Sequence, residues 1–245
     1  MRDADRRLSK VLTMHAFVQA GLGVAHSLRT RGLRRTLLFV ALGHAIPALG
    51  EYVAVNVLAL LRHRVEPRFA GVPAAVAVGW FNVGYGTFAV VESVLSHAGW
   101  DESRRRRALP PATALVAANL DLLLDPCGLD VGLWEWTQGG RYAAEVRGPN
   151  GRRGIPLVNF AGWLVLIASV VWAYLRLEPT GAPARSRPET VGATEAGRGA
   201  AVLLLIYYLP AAMWAVRRRR WKYLVRSAPF LVILATALRG RAPSS

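Results

Sequence analysis

Asp121 and Asp125 lie four residues apart at the end of an apolar run that covers residues 112–126. In a helix, that spacing places both side chains on one face. A carboxylate inside a membrane costs roughly 2.5–3.5 kcal/mol on insertion scales, so two of them in an apolar run indicate a function. Because close carboxyls can share one proton, the pair can supply an acid and a base side by side.

Two further carboxyls, Glu51 and Glu92, interrupt other apolar runs. A carboxyl in an apolar environment favours its neutral form, which can donate a proton. We therefore treat Glu51, Glu92, Asp121 and Asp125 as candidate catalytic groups, the alternative being that each is a structural hydrogen-bonding group between helices. The five histidines are dispersed, and only His44 with Glu51 resembles a pair of ligands, so no metal site is predicted.

Aromatic side chains follow the aspartates and recur in neighbouring apolar runs. Such residues are common in interfacial belts, but they can also form a pocket that packs an isoprenoid chain and stabilises a carbocation by cation–π attraction. Two asparagines near the ends of apolar runs could orient a water or pair with an aspartate. The candidate substrate-binding residues are Trp80, Asn119, Trp134, Trp136, Tyr142, Asn159, Phe160 and Trp163.

Seven apolar runs are candidates for membrane-spanning helices, which need about 20 mostly apolar residues. The predicted fold class is therefore all-α: a polytopic transmembrane helical bundle. It has six to seven spans, because the first and the last run could instead lie at the membrane interface. The runs cover residues 8–28, 36–61, 72–96, 108–124, 157–175, 200–216 and 223–238.

Basic residues are concentrated between the apolar runs. The 31 Lys and Arg exceed the 15 Asp and Glu, which gives a net charge of +16. No basic stripe follows a soluble helix or sheet, which argues against nucleic-acid binding and favours anionic lipid headgroups as partners. Because basic loops favour the cytoplasm, we expect the densest group there. This 217–226 cluster consists of Arg217, Arg218, Arg219, Arg220, Lys222 and Arg226.

The chain is predicted to form a single integral membrane domain over residues 1–245. Pro126 is expected to end the fourth helix, because proline disfavours helical backbone in the residue before it. The segment 127–153, rich in Gly, Trp and charge, is then expected to be an interfacial loop. The segment 178–199, rich in Pro, Gly, Thr and Arg, is expected to be a flexible loop.

Three stretches carry a resemblance to a known family: Asp121-Leu122-Leu123-Leu124-Asp125-Pro126, Gly132-Leu133-Trp134-Glu135-Trp136 and Gly154-Ile155-Pro156-Leu157-Val158-Asn159-Phe160-Ala161-Gly162-Trp163. Together they resemble the carotenoid biosynthesis protein family, which includes membrane proteins similar to bisanhydrobacterioruberin hydratase and carotenoid 1,2-hydratase. The resemblance covers residues 50–163 and is most specific in its last third.

The resemblance implies a membrane enzyme that adds water to a terminal carbon–carbon double bond of an acyclic carotenoid and forms a tertiary alcohol. We expect Asp121 to be the acid, with Asp125 or Glu51 as its partner. Protonation and hydration need no metal or redox cofactor, so no cofactor is expected. Family positions carry over only to Asp121, Asp125, Trp134, Trp136, Asn159 and Trp163.

Two other functions are compatible with the same residues. An end-group cyclase or isomerase of carotenoids or other polyprenyl compounds shares the protonation step and differs in what traps the cation. A non-catalytic lipid or carotenoid binding or transport protein would use the same pocket but would tolerate asparagine at both aspartates. The expected partners are an acyclic carotenoid or other polyprenyl substrate, membrane lipids and other carotenoid enzymes. The expected location is the cytoplasmic membrane of a prokaryote.

Overall fold

The computed structural model describes residues 3–178 and 189–239, in which eight α-helices are joined by turns and six short strands. The helices are α1 (Asp3–Arg31), α2 (Leu33–Tyr52), α3 (Ala74–His97), α4 (Glu102–Val131), α5 (Leu157–Leu177), α6 (Glu189–Arg217), α7 (Trp221–Arg226) and α8 (Ala228–Arg239). The strands are β1 (Leu61–His63), β2 (Arg68–Phe69), β3 (Val72–Pro73), β4 (Trp134–Trp136), β5 (Tyr142–Arg147) and β6 (Arg153–Ile155).

Within the described ranges, the six helices α1 to α6 are long and apolar enough to cross a membrane. This confirms the predicted all-α bundle, with a span count at the lower end of the predicted range. The predicted seventh span, residues 223–238, is wrong as a single helix because the chain breaks at Ser227 between α7 and α8. Helix α8 has only 12 residues. At 1.5 Å per residue it is about 18 Å long, well short of the roughly 30 Å hydrocarbon core.

Helix α3 lies at the centre of the bundle, where it packs against α1, α2, α4 and α6. Every residue from Trp80 to Val91 is buried. Apolar side chains of the outer helices, such as Leu37, Val165 and Val232, are exposed instead. That distribution suits a bundle surrounded by lipid, because lipid tails are as apolar as these side chains.

Helix α4, which carries the aspartates, extends further than predicted. It begins after Asp101, whose side chain accepts a hydrogen bond from the Arg104 backbone N–H at 2.9 Å. It continues through Pro126 to Val131, so the predicted end at residue 124 is wrong. The helix ends at Gly132, whose φ of 80° is a left-handed conformation that glycine adopts without strain.

A tyrosine outside the helix explains why Pro126 is tolerated inside it. Proline has no N–H, so the carbonyl of Leu122, four residues earlier, lacks its helical donor. The Tyr142 hydroxyl of β5 donates a hydrogen bond to that carbonyl at 2.6 Å. Burial raises the pKa of Tyr142 to about 12, so the hydroxyl keeps its proton at physiological pH. Strand β5 thus supplies the donor that α4 lacks.

We expect Tyr142→Phe to destabilise the protein by about 1–3 kcal/mol, because the Leu122 carbonyl would remain buried without a donor. The measurement is the midpoint of thermal unfolding in detergent, which should fall. Tyr52→Phe is the matched control, since Tyr52 lies 44% exposed at the end of α2. Equal midpoints for the two variants would contradict this role of Tyr142.

The segments on either side of α5 also differ from prediction. Residues 127–153 do not form one loop, because they contain the end of α4 and strands β4 and β5. The predicted flexible loop at 178–199 is wrong for residues 189–199, which begin α6, whereas residues 179–188 lie outside the described residues. Gly197 and Gly199, taken as loop residues, instead let α6 lie close to Ser93 and His26.

The second apolar run is shorter as an α-helix than predicted. Helix α2 ends at Tyr52 and continues as a π-helical turn, Val53–Val57, so residue 61 is not the end of a span. Leu61 instead begins β1, which pairs antiparallel with β4. We call this pair the β1–β4 ribbon. π-Helical turns occur frequently at functional sites. Because this one lies next to Glu51, it indicates that a functional site lies at this end of the bundle.

Candidate functional site

A cavity of about 520 Å³ lies where helices α1 to α6 meet the β1–β4 ribbon. It is close to one end of the bundle, because Glu51 lies near the end of α2 and Asn159 near the start of α5. Most of its wall is apolar. The polar side chains on the wall include Glu51, His63, Asp121, Asp125 and Asn159.

The two aspartates are joined through one amide. Asn159, in the first turn of α5, donates from Nδ2 to Asp121 Oδ2 at 2.8 Å and to Asp125 Oδ2 at 2.9 Å. Both aspartates are only 2% exposed. The two side chains therefore share one face of α4, as their spacing predicts, and Asn159 is the asparagine that pairs with them.

Trp134 provides a second donor to Asp125. Its Nε1 lies 2.5 Å from Asp125 Oδ1. The indole fits only because residue 128 is glycine, since a Cβ on Gly128 would lie 2.2 Å from Trp134 Cζ2. Within the described part of the chain, Asp125 thus accepts hydrogen bonds from two side chains, whereas Asp121 accepts one from Asn159.

Glu51 belongs to the same cavity and is held by two aromatic rings. Trp80 Nε1 donates to Glu51 Oε1 at 2.9 Å, and His63 Nε2 lies 2.9 Å from Oε2. The indole of Trp80 also stacks on Trp163, with 4.0 Å between the ring centroids. The suggested pairing of Glu51 with His44 is not seen, because His44 Nδ1 bonds a carbonyl of its own helix instead.

His63 is a candidate that the sequence reasoning missed. It lies on β1 and faces Trp134 of β4 across the ribbon, with the two rings edge to face at 6.3 Å. The available signal was a histidine 12 residues after Glu51, but Glu51 lies on α2 and His63 on β1, so no single helical or strand period relates the two. Only the fold of the ribbon brings the two residues together.

Two candidate residues lie outside the cavity and have structural partners. Glu92 forms an ion pair with Arg31, whose Nη2 lies 2.5 Å from Glu92 Oε2. Asn119 accepts a hydrogen bond from the Phe230 N–H at 2.9 Å and donates to the Arg226 carbonyl at 3.1 Å. Asn119 therefore fixes the start of α8 against α4 rather than facing a ligand.

The aromatic candidates divide into two groups. Trp80, Trp134, Trp136 and Trp163 are on the cavity wall. Tyr142 and Phe160 are not among the lining residues; their rings pack edge to face at 5.0 Å, and Tyr142 supports the Leu122 carbonyl. The wall therefore combines tryptophan faces, which attract cations, with a bridged pair of carboxyls.

This arrangement suits proton transfer to an apolar molecule. Among the described residues, no group of three or more His, Cys, Asp and Glu side chains is placed to hold a metal ion. The paired carboxyls can hold a proton between them and deliver it into a cavity that excludes most polar groups.

Comparison with known proteins gives one match. A family model described as carotenoid biosynthesis protein matches residues 10–232, a range that includes every polar residue of the cavity wall named above. No curated protein and no solved structure matches the chain.

Proposed function

Because the chain belongs to the carotenoid biosynthesis protein family, we propose that it is a hydratase that adds water to the terminal carbon–carbon double bond of an acyclic carotenoid. One observation carries the proposal: a buried pair of carboxyls, Asp121 and Asp125, bridged by Asn159 on the wall of an apolar cavity. Protonation of such a double bond gives a tertiary carbocation, which water can trap as an alcohol.

The hydrogen bonds support Asp121 as the acid. A donor stabilises the ionised form of the carboxyl that accepts from it. Since Asp125 has donors in both Trp134 and Asn159, negative charge is better stabilised on Asp125, and the proton shared by the pair is left to Asp121. Asp125 would then remain a carboxylate that stabilises the cation formed after Asp121 has donated its proton.

The tryptophans would support the same cation. Trp80 and Trp163 form a stacked pair on the cavity wall, and Trp134 lies against Asp125. A cation over an indole face gains roughly 0.5–2 kcal/mol, with the larger value for a desolvated site. The pocket would thus stabilise developing charge with aromatic faces and one carboxylate.

The cavity also offers a path for a lipophilic substrate. Its wall includes Leu58, Val158 and Val165, which are 57%, 51% and 63% exposed on the outside of the bundle. Those side chains face lipid if α5 spans the membrane, which supports lateral access from the bilayer between α2 and α5. An acyclic carotenoid could then insert one end while the rest of the chain stays in lipid.

The basic clusters support a cytoplasmic position for this end of the bundle. With six spans, the segments 58–73 and 132–156 and the 217–226 cluster lie on the same side as the cavity. Because Lys and Arg are enriched in cytoplasmic loops, we place the cavity near the cytoplasmic face of a prokaryotic membrane.

The test is expression in a bacterium that accumulates lycopene or its elongated relatives, followed by mass spectrometry of the extracted pigments. The proposal predicts the mass of one added water for each end that reacts. Unchanged mass with altered retention would instead indicate a cyclase or isomerase. No change with several acyclic substrates would favour a binding or transport protein.

A further inference from the structure

The β1–β4 ribbon presents four side chains to the cavity. In its register Leu61 pairs with Trp136 and His63 with Trp134. Because alternate residues of a strand face the same side, these four side chains share one face of the ribbon, and all four are on the cavity wall.

Two polar atoms on this face have no hydrogen-bond partner among the described residues: His63 Nδ1 and Trp136 Nε1. Each residue is only 4% exposed. Trp136 Nε1 is close enough to Asp125 to interact with its carboxyl, but the contact falls outside the geometry of a normal hydrogen bond. Leaving such buried atoms without a partner destabilises the folded protein. Buried water commonly satisfies such groups when the site has room and at least two polar partners.

The partners of Glu51 determine what His63 Nδ1 can do. Glu51 accepts a hydrogen bond from Trp80 at Oε1, and its Oε2 faces His63 Nε2. A carboxylate accepts hydrogen bonds only, so the proton of a neutral His63 ring must be on Nε2. The other ring nitrogen, Nδ1, then carries a lone pair and is an acceptor. In this arrangement a carboxylate orients an imidazole so that the free nitrogen can act as a base.

We propose that the β1–β4 ribbon binds the reacting water, with Trp136 Nε1 donating to the water oxygen and His63 Nδ1 accepting from one of its protons. This inference rests on the proposed hydration. It makes His63 the base that removes a proton from water as it attacks, with Glu51 as the positioning residue that fixes the ring. The acid and the base then lie on different walls of one cavity: Asp121 on α4 and His63 on β1.

The step balances without any other reactant. Asp121 gives its proton to the alkene, which forms a new C–H bond and leaves a tertiary cation. The water oxygen forms the C–O bond, and the proton released from water passes to His63 Nδ1. Return of that proton to the Asp121 carboxylate, directly or by exchange with solvent, regenerates both groups.

A second cavity of about 440 Å³ also borders His63. It is lined by Val55, Arg62, His63, Arg64, Arg68, Gly71 and Glu135. His63 is therefore on the wall of both cavities, and four charged side chains also line the second one. This position suits a residue that receives water from the polar side and delivers it to the apolar side.

The test compares hydration with deuterium exchange for His63→Gln in lipid nanodiscs. The glutamine amide can still donate to Glu51 but removes the ring base. We expect hydration to fall at least ~100-fold, while the KM for the carotenoid is retained. In D₂O, recovered substrate should still gain deuterium at the terminal alkene, because Asp121 can protonate it reversibly.

His97→Gln is the matched control, since His97 is exposed and belongs to the last turn of α3. Trp136→Phe removes the N–H donor while keeping an aromatic ring, so it tests the water site even if His63→Gln fails to fold. It should slow hydration with exchange retained. Wild-type hydration in either variant would overturn the proposal, as would loss of exchange in a folded His63→Gln protein. If the wild-type protein shows neither hydration nor exchange, the proposed function itself fails.

Discussion

Asp121→Asn is expected to reduce hydration of an acyclic carotenoid by at least ~100-fold, the lower range for loss of a general acid. The asparagine side chain has nearly the same shape but cannot release a proton at physiological pH. One oxygen remains to accept from Asn159, so the bridge at 2.8 Å can be kept. The measurement is the initial rate of hydrate formation by protein in nanodiscs.

Asp130→Asn is the control for this variant. Asp130 lies on the same helix but accepts a hydrogen bond from Trp214 at 2.9 Å and pairs with Arg218, away from the cavity wall. We expect it to lower stability without removing activity. A folded Asp121→Asn protein with wild-type hydration would remove Asp121 from the mechanism.

Asn159→Leu is expected to lower kcat by about 10- to 100-fold. The leucine side chain has the same number of non-hydrogen atoms and the same branching but provides no donor, so both aspartates lose a hydrogen bond at once. Loss of a hydrogen bond to a charged group costs roughly 1.5–3 kcal/mol, and 1.36 kcal/mol corresponds to tenfold in rate. The KM for the carotenoid should change little, since the amide contacts the carboxyls.

Asn119→Leu is the matched control for Asn159→Leu. Asn119 also bonds a neighbouring helix, through the Phe230 N–H, but outside the cavity. Its loss should lower the unfolding midpoint and leave kcat unchanged. If the two variants lose activity to the same extent, the effect of Asn159→Leu is structural and the bridge has no special role.

The sequence contained enough information for the bundle and for the acid pair. Long apolar runs separated by basic clusters reflect the cost of placing charge in lipid, which holds whatever the tertiary packing. The four-residue spacing of Asp121 and Asp125 is likewise a local property, because one helix determines that both share a face. Local periodicity therefore placed the carboxyls correctly before any contact was known.

What the sequence could not indicate depends on contacts between distant segments. Pro126 does not end α4, because Tyr142, 16 residues further along the chain, supplies a donor to the Leu122 carbonyl. His63 meets Glu51 only because the chain after the π-helical turn folds into β1 and pairs with β4. Glu92, like Glu51, is a carboxyl within an apolar run of the sequence. In the structure, however, Glu92 lies outside the cavity and forms an ion pair with Arg31. Each case is decided by a partner that no local pattern identifies.

The most direct measurement is isotope incorporation during turnover by the purified protein in nanodiscs. An acyclic carotenoid is incubated in water enriched in both ¹⁸O and deuterium, and the product is analysed by mass spectrometry. The account predicts that each reacted end gains one ¹⁸O and one non-exchangeable deuterium on the carbon next to the new alcohol, and that Asp121→Asn gains neither. Two results would contradict hydration by this protein. One is a product that gains deuterium without ¹⁸O, and the other is that none of the recovered carotenoid contains either isotope.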